Sequence, residues 1–381
     1  MFTKGAGGMD EKRALTLCGG GAKGAYEIGA VRALYELGEK FDIITGTSIG
    51  ALTGAMLVQG DAEQLNRLWE GLSIRSVMTE GFAFDGSLET LFRNKGDIVP
   101  FLKSYVNKKG ADIEPFRKII RDYGDEARFF ASPIDFALIA VRFPAFTPVE
   151  MTKSRMPRGQ YKDWLLASAS AFPAFPLCRI GGEAYIDGGY YDNLPIDSAF
   201  RLGASTVVAV DLNPEPTHPH HAVNPLVRYI RPYRPLGSFL LFEHDPIMRN
   251  ISLGYQDTMK SYGRLFGFRY TFRPDADTPA LARRVTRAVT ELEAGGGLPS
   301  GRHGRKGTVW PFLRAYIRRE SFSEIDVLAA ALECAGAQSG VPDMEIYTTD
   351  EFEKLLGPPP ADTPANAQTT LAALARDCLR G

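Results

Sequence analysis

Residues 13–37 read RALTLCGGGAKGAYEIGAVRALYEL, and residues 41–57 read FDIITGTSIGALTGAML. Each stretch begins with a short apolar run, passes through a glycine-containing turn and continues with a helical pattern. Near-continuous apolar runs at 136–143 and 205–212 predict further strands, buried on both faces of a sheet. Alternating strands and helices of this kind predict a layered α/β core with a largely parallel central sheet.

The first predicted helix has one apolar face, whose members recur at spacings of three and four residues: Ile28, Val31, Leu34 and Tyr35. Such spacing places side chains on one side of a helix, and we expect this side to pack on the sheet. The polar residues of the same helix are expected to point away from the sheet: Glu27, Arg32 and Glu36.

The α/β core is predicted to end near Leu212, which divides the chain into a core over 13–212 and a C-terminal region over 213–381. The C-terminal region opens with a proline- and histidine-rich connection that neither a helix nor a central strand accepts. Helical patterns follow at 278–294 and 321–337, so this region is predicted to be mostly helical.

Within the C-terminal region, the second helical pattern begins with a capping box of Ser321 and Glu324. Residues 295–307 form a basic, glycine-rich loop, and residues 357–368 form a proline-rich spacer before a last short helix. The region could be a lid, a surface for homo-oligomerisation or a docking site, and the sequence does not choose among these roles.

Composition excludes several classes of protein. The chain of 381 residues is 44% hydrophobic and 23% charged with a net charge of −1, so a nucleic-acid partner, which calls for a basic excess, is not expected. No apolar run approaches the roughly 20 residues of a membrane-spanning helix. The polar N-terminus lacks a secretory signal, so we expect a cytoplasmic protein, although secretion by a leaderless route would leave the same sequence.

No cofactor or metal is predicted. The four cysteines lack the spacing of a metal site or of a disulfide framework: Cys18, Cys178, Cys334 and Cys378. We therefore expect reduced thiols and no structural metal.

The glycine loop allows two interpretations. Gly19, Gly21 and Gly24 match the dinucleotide pattern G-x-G-x-x-G, which requires an acidic residue at the end of the second strand. Asp42 instead stands at the start of that strand, and TGTSIG occupies its end. The alternative is an oxyanion hole, in which glycines let backbone amides point at one developing charge.

Gly20 and Gly21 are the candidates for the donating amides of such an oxyanion hole. Lys23 in the same loop is expected to hold the loop or to meet an anionic ligand group, and an ordinary solvated lysine is the alternative.

The pentapeptide GTSIG predicts a nucleophile elbow, a sharp strand-to-helix turn that exposes a serine. Ser48 is its candidate nucleophile, and Gly46 and Gly50 allow the backbone to approach closely. The pentapeptide also occurs by chance, and its weight comes from the glycine loop on the preceding strand.

A general base is harder to assign. All five histidines follow the predicted core, and none is well placed by sequence: His218, His220, His221, His244 and His303. Asp187 is the better candidate, because it ends a short strand and is followed by Gly188 and Gly189, which leave room beside it. Read alone, the same tripeptide is a common hairpin turn.

Together these motifs resemble the patatin-like phospholipase family. The matching residues, in order, are the loop Gly19–Gly24, the pentapeptide Gly46–Gly50, Asp187-Gly188-Gly189, Asn193 and Pro195. Two further stretches are similar to that family, ASASAFPAFP at 167–176 and FDGSL at 84–88. The resemblance covers roughly residues 13–212 and does not extend to the C-terminal region.

The resemblance implies a three-layer α/β/α sandwich and a Ser-Asp dyad that needs neither histidine nor metal. Carried over to this chain, Ser48 would be the nucleophile, Asp187 the proton acceptor and the glycine-loop amides the oxyanion hole. Cys18 is a departure, because the family often has Ser or Asp before the glycines. We expect Cys18 to be buried and unreactive.

The resemblance also implies an acyl-lipid substrate, a phospholipid or lysophospholipid. Residues 227–242 mix arginines with aromatic and aliphatic side chains, which suits peripheral contact with an anionic membrane but equally an ordinary packed subdomain: Arg228, Tyr229, Arg231, Tyr233, Arg234, Phe239, Leu240 and Phe242. An acyltransferase using the same dyad and a catalytically silent interaction module stay open as alternatives.

Overall fold

A computed structural model describes residues 11–78, 111–295, 309–319, 321–358 and 366–380. The FDGSL stretch at 84–88, and most of the predicted loop at 295–307 and spacer at 357–368, lie outside these residues. The chain folds into two units, Met1–Tyr255 and Gln256–Gly381. Whether catalysis is confined to 13–212 stays a prediction.

The first unit is built on an eight-stranded sheet. Its strands are β1 (Arg13–Leu17), β2 (Ile43–Thr47), β3 (Asp135–Phe143), β4 (Thr147–Thr152), β5 (Cys178–Ile180), β6 (Glu183–Asp187), β7 (Thr206–Val210) and β8 (Val227–Ile230). Its described helices are α1 (Ala25–Glu36), α2 (Ile49–Val58), α3 (Ala62–Glu70), α4 (Glu114–Tyr123), α5 (Glu126–Ala131), α6 (Tyr161–Ser168), α7 (Ile196–Arg201), α8 (Pro219–Ala222) and α9 (His244–Ser261), the last of which continues into the second unit.

The strands follow the order β5-β6-β3-β2-β1-β7-β8, with β4 also paired to β3. β1, β2, β3, β7 and β8 run parallel to their neighbours among these five, whereas β4, β5 and β6 pair antiparallel. The mainly parallel sheet predicted from the apolar runs is therefore confirmed. The sheet continues past Leu212, because β8 adds to its edge.

Helices cover both faces of the sheet. Ile44 packs against α2 at Gly54, where an added Cβ would lie 2.8 Å from the isoleucine side chain. The next residue, Thr45, points to the opposite face, as neighbouring strand residues do, and its hydroxyl donates to the carbonyl of Pro195 at the start of α7 at 3.0 Å. The predicted three-layer α/β/α sandwich is thus confirmed.

One edge of β3 is shared by two strands. β2 pairs in parallel with Asp135–Ile139, and β6 pairs antiparallel with Ala140–Phe143. β4 pairs over the stretch 137–142 and so occupies the other edge. β2 and β6 therefore lie end to end along β3, and their C-terminal ends meet where Ile139 joins Ala140.

The second unit is mostly helical, as predicted. It contains α10 (Thr278–Ala294), α11 (Val309–Ile317), α12 (Glu324–Ser339), α13 (Thr349–Leu355) and α14 (Ala367–Leu379), with a parallel pair of β9 (Thr271–Phe272) and β10 (Ile346–Tyr347). The predicted capping box at Ser321 and Glu324 is wrong, because the box at this helix start is made by Ser323 and Asp326. None of the described helices combines the length and apolarity needed to cross a bilayer.

Two predictions for α1 are wrong. Tyr35 is 44% exposed, although its spacing placed it on the buried face. Glu27 is fully buried, although it was expected to point away from the sheet. α1 is covered by other helices as well as by the sheet, so a polar position away from the sheet is still inside, and burial raises the pKa of Glu27 well above its ordinary value.

Gly29→Ala is expected to destabilise the first unit by roughly 3 kcal/mol, since forcing extra volume into a packed interior costs about this much. A Cβ on Gly29 would overlap the carbonyl oxygen of Ile251 in α9. Denaturant unfolding would measure the loss. Gly71→Ala is the matched control, because an added Cβ there meets its nearest atom at 3.7 Å; equal stability of the two variants would contradict the close packing of α1 on α9.

Candidate active site

Ser48 lies in the turn between β2 and α2, with φ of 55° and ψ of −122°. A non-glycine residue in this backbone region costs about 1–3 kcal/mol and persists only where its surroundings hold it. A Cβ on Gly50 would lie 2.6 Å from the carbonyl oxygen of Leu17, and one on Gly46 would overlap the carbonyl of Gly50. Both glycines are therefore needed for this turn.

Ser168 holds the strained turn from the side of β3. Its hydroxyl accepts a hydrogen bond from the backbone N–H of Ser48 at 3.0 Å and donates to the carbonyl of Ile139 at 2.6 Å. Ser168 is fully buried at the end of α6. The Ser48 amide is thereby engaged in holding the turn.

Ser48 and Asp187 are brought together. The Ser48 hydroxyl donates to Asp187 Oδ2 at 2.6 Å, and the N–H of Gly189 donates to the other carboxylate oxygen at 2.7 Å. A Cβ on Gly188 would overlap the carbonyl of Ile139, so glycine is needed for the chain to turn beside β3. Ser48 and Asp187 lie within hydrogen-bonding distance because β2 and β6 end at the same point on β3.

Asp187 is only 3% exposed. Burial raises its pKa from 3.8 to about 6, against the opposing effect of the hydrogen bonds from Ser48 and Gly189. A carboxylate that ionises near pH 6 is a stronger base than an exposed aspartate and is still charged at neutral pH. The environment thus makes this carboxylate able to accept a proton from a serine hydroxyl.

The glycine loop lies beside the serine. A Cβ on Gly19 would lie 3.2 Å from Ser48 Cβ. Gly19 donates its N–H to the carbonyl of Asn193 at 2.9 Å and accepts from the Asn193 side-chain amide at 2.8 Å. By contrast, the amides of Gly20 and Gly21 have no acceptor among the described residues. These two amides are available to an oxyanion.

A backbone segment beyond β8 supports the same loop. The carbonyl of Phe239 accepts a hydrogen bond from Ala22 at 2.8 Å, and a Cβ on Gly21, whose φ is 55°, would overlap this carbonyl. Lys23 is half-buried in the 3₁₀ turn Gly21–Gly24. Gly24 is close to α2, since a Cβ there would lie 2.9 Å from the side chain of Ile49.

The other candidates from the sequence lie away from the dyad. None of the described histidines hydrogen-bonds to Ser48 or Asp187, and His303 is outside the described residues. Cys18 is fully buried, and burial raises the pKa of its thiol well above the ordinary value. Asp42 accepts a hydrogen bond from the N–H of Arg13 at 2.9 Å. Arg13 begins β1, whereas the glycine loop follows the other end of that strand. That position does not suit a ribose ligand of a dinucleotide.

The family model for patatin-like phospholipases matches residues 15–200, a stretch that includes the glycine loop, Ser48 and Asp187. Residues 15–200 are a patatin-like phospholipase domain. The order and geometry of the motifs described above agree with this assignment.

Curated relatives match about half of this chain. The lysophospholipase NTE1 of Mycosarcoma maydis is 28% identical over 202 residues, which are 52% of this chain and 9% of that protein. The patatin-like phospholipase domain-containing protein 7 of Mus musculus is 31% identical over 206 residues, 52% of this chain and 13% of that protein. The similarity therefore concerns the patatin-like domain and a small part of each relative.

Among solved structures, VipD from Legionella pneumophila aligns with 98% of this chain and 92% of its own at 15% identity. The TM-score is 0.44, which is too low to support an argument about function.

Two residues that support the site of the patatin-like domain were not predicted from the sequence. Ser168 lies in the ASASAFPAFP stretch, which was noticed for its resemblance without a role for any residue in it. Phe239 contacts the glycine loop through its backbone carbonyl, and no pattern of side chains predicts such a contact. The sequence left 227–242 open as a membrane-contacting surface or an ordinary packed subdomain, and its arginines and aromatics are half-buried or buried.

Ser168→Ala is expected to slow the reaction of Ser48 by about tenfold to a hundredfold, because an unpaired buried amide costs about 1–3 kcal/mol and loosens the strained turn. The rate of labelling by a serine-directed fluorophosphonate would measure it. Ser170→Ala is the matched control: this neighbouring serine is also buried, but its hydroxyl donates to the carbonyl of Leu166 in α6 and not to the Ser48 turn. Equal rates for the two variants would contradict the positioning role of Ser168.

Asp187→Asn is expected to stabilise the domain at neutral pH. Because the carboxyl pKa rises from 3.8 to about 6 on folding, the unfolded chain binds fewer protons between these values, and the parent loses stability as the pH rises through this window. Above this pH window, the buried charge lowers the free energy of unfolding of the parent by about 3 kcal/mol at most. Urea unfolding of both proteins near pH 4 and pH 8 should show a stability difference that is larger at the higher pH; a difference independent of pH would contradict the raised pKa.

Proposed function

We propose that the patatin-like domain is a serine acyl hydrolase that cleaves ester bonds of phospholipids or related acyl lipids through a Ser48-Asp187 dyad. The observation that carries this proposal is the 2.6 Å hydrogen bond from the serine hydroxyl to a buried carboxylate. The availability of the Gly20 and Gly21 amides next to that serine supports it. The similarity to proteins named lysophospholipase supports the lipid class of substrate.

In the first half of the reaction, Ser48 Oγ forms a bond to the ester carbonyl carbon while its proton passes to Asp187. The carbonyl oxygen becomes an oxyanion, to which the amides of Gly20 and Gly21 donate. Donors of this kind stabilise the transition state by about 3 kcal/mol each. The bond to the leaving alcohol then breaks, the alcohol takes the proton from Asp187, and an acyl-enzyme on Ser48 remains.

In the second half, water attacks the acyl carbon and gives its proton to Asp187. The oxyanion again lies at the glycine loop. When it collapses, the bond from the acyl carbon to Ser48 Oγ breaks, the serine regains the proton, and a free fatty acid leaves. No histidine is needed in this sequence, because burial has already raised the basicity of Asp187.

An apolar cavity next to the nucleophile fits the acyl chain of such a substrate. Its volume is about 60 Å³, and it begins at Ile49, the residue that follows Ser48. Trp69, Phe116 and Phe242 are among its lining residues. This volume holds roughly four water-sized groups, enough for the first methylenes of an acyl chain.

Two finer parts of the proposal concern the surroundings of the site. Peripheral contact with a membrane through 227–242 would bring the lipid to the glycine loop, since Phe239 touches that loop through its backbone. As a lid, the helical region after 213 would control the access of the lipid to Ser48. Both stay predictions.

Ser48→Ala and Asp187→Asn are each expected to abolish ester hydrolysis, since one removes the nucleophile and the other its base. Incubation with a fluorophosphonate probe, followed by intact mass and peptide mapping, should show one adduct on Ser48 in the parent and none in Ser48→Ala. Labelling of the parent should slow as the pH falls through about 6, because Asp187 becomes protonated.

Ser170→Ala is the control for handling and folding, and it should keep both labelling and hydrolysis. Full turnover by either dyad variant would overturn the assignment. Added glycerol or lysolipid that diverts the product from fatty acid to a new ester would instead reveal an acyltransferase. The absence of an adduct with and without liposomes would favour a silent interaction module.

A further inference from the structure

A cluster of metal-ligating side chains lies outside the dyad, between two helices of the first unit. Asp197 is on α7, and His220 and His221 are on the short helix α8. One ligand atom of each residue lies within 4.8 Å of the ligand atoms of the other two. α7 follows the loop after β6, which carries Asn193, so the cluster joins α7 to the segment after β7.

The separation of two of these atoms already suits a single ion. His221 Nε2 is 3.0 Å from Asp197 Oδ1. Two ligands held about 2.0–2.1 Å from a tetrahedral zinc lie roughly 3.3 Å apart. His220 is exposed, and its ring centroid is 4.1 Å from that of His221, so a small rotation of its side chain completes the set.

His221 is the buried member of the cluster. The residue is 6% exposed, and its Nδ1 has no hydrogen-bond partner among the described residues. Nε2 faces Asp197, so Nδ1 cannot bind the same ion. When Nε2 binds a metal, the second ring nitrogen donates its N–H to a carboxylate, a carbonyl or water, and water is the partner left for Nδ1 here. The nearby His218 is outside the cluster, and its Nε2 lies 2.9 Å from Asp192 Oδ1.

We propose that Asp197, His220 and His221 bind one Zn²⁺ ion. Two imidazoles and a carboxylate are a donor set that zinc accepts, and three protein ligands leave a fourth position for water. Ca²⁺ and Mg²⁺ prefer sites made of oxygen ligands alone. The ion would link α7 to α8 and so stabilise the segment that follows the loop after β6, without contacting Ser48 or Asp187.

The cysteine spacing predicts no metal site, and the proposed site contains no cysteine. The histidines alone do not predict this site, since the third ligand lies on a different helix and is separated from them by β7.

The test is zinc binding to tag-free, metal-free protein, measured by isothermal titration and by the metal content after dialysis. The parent should bind one Zn²⁺ per chain, and its melting temperature should rise with zinc, as it does when a ligand binds the folded state alone. Asp197→Asn and His220→Ala should each weaken binding by at least about tenfold and remove the rise. Both positions are exposed, so the variants should fold, which circular dichroism would check.

His244→Ala is the matched control, because this exposed histidine on α9 is outside the cluster, and it should bind zinc as the parent does. Ester hydrolysis in metal-free buffer should be the same in Asp197→Asn and the parent. Absence of zinc binding to the parent, or binding at parental affinity in either Asp197→Asn or His220→Ala, would overturn the three-ligand site.

Discussion

The site depends on the meeting of two strand ends on one edge of β3. β2 pairs with this edge up to Ile139, and β6 takes over at Ala140 from the opposite direction. Ser48 follows directly after β2, and Asp187 is the last residue of β6. Backbone hydrogen bonds of the sheet therefore set the distance between Ser48 and Asp187.

Neighbouring contacts stabilise the place where β2 and β6 meet, and they offset two features of Ser48 and Asp187 that cost free energy. Ser48 is held in a strained backbone conformation, and Asp187 is held where its charge is poorly solvated. Ser168 satisfies the Ser48 amide, Gly189 satisfies the carboxylate, and Asn193 ties the glycine loop to the loop after β6. Strained backbone of this kind persists in folded proteins only where the surrounding structure over-determines it.

Much of the fold was predictable from the sequence, because it depends on local patterns. Apolar runs marked β3 and β7, and glycines marked the two turns. One prediction failed because a neighbour in space decided the outcome: Glu27 is buried because helices cover α1 on the side away from the sheet. The cap prediction failed locally, because the helix at Glu324 is capped by Ser323 with Asp326 and not by Ser321. A helical period identifies one apolar face, but it cannot say how many faces other elements will cover.

The sequence by itself determined the α/β class, the glycine-dependent turns and the residue types that suit acyl transfer, since these follow from local periodicity and from the absence of a Cβ. Only the tertiary structure decided which residues meet. Ser48 and Asp187 are 139 positions apart, and Asp197 meets His221 across 24 positions. Hydrogen bonding, burial and metal coordination act over a few ångströms in space, so separation along the chain carries no information about them until the sheet has formed.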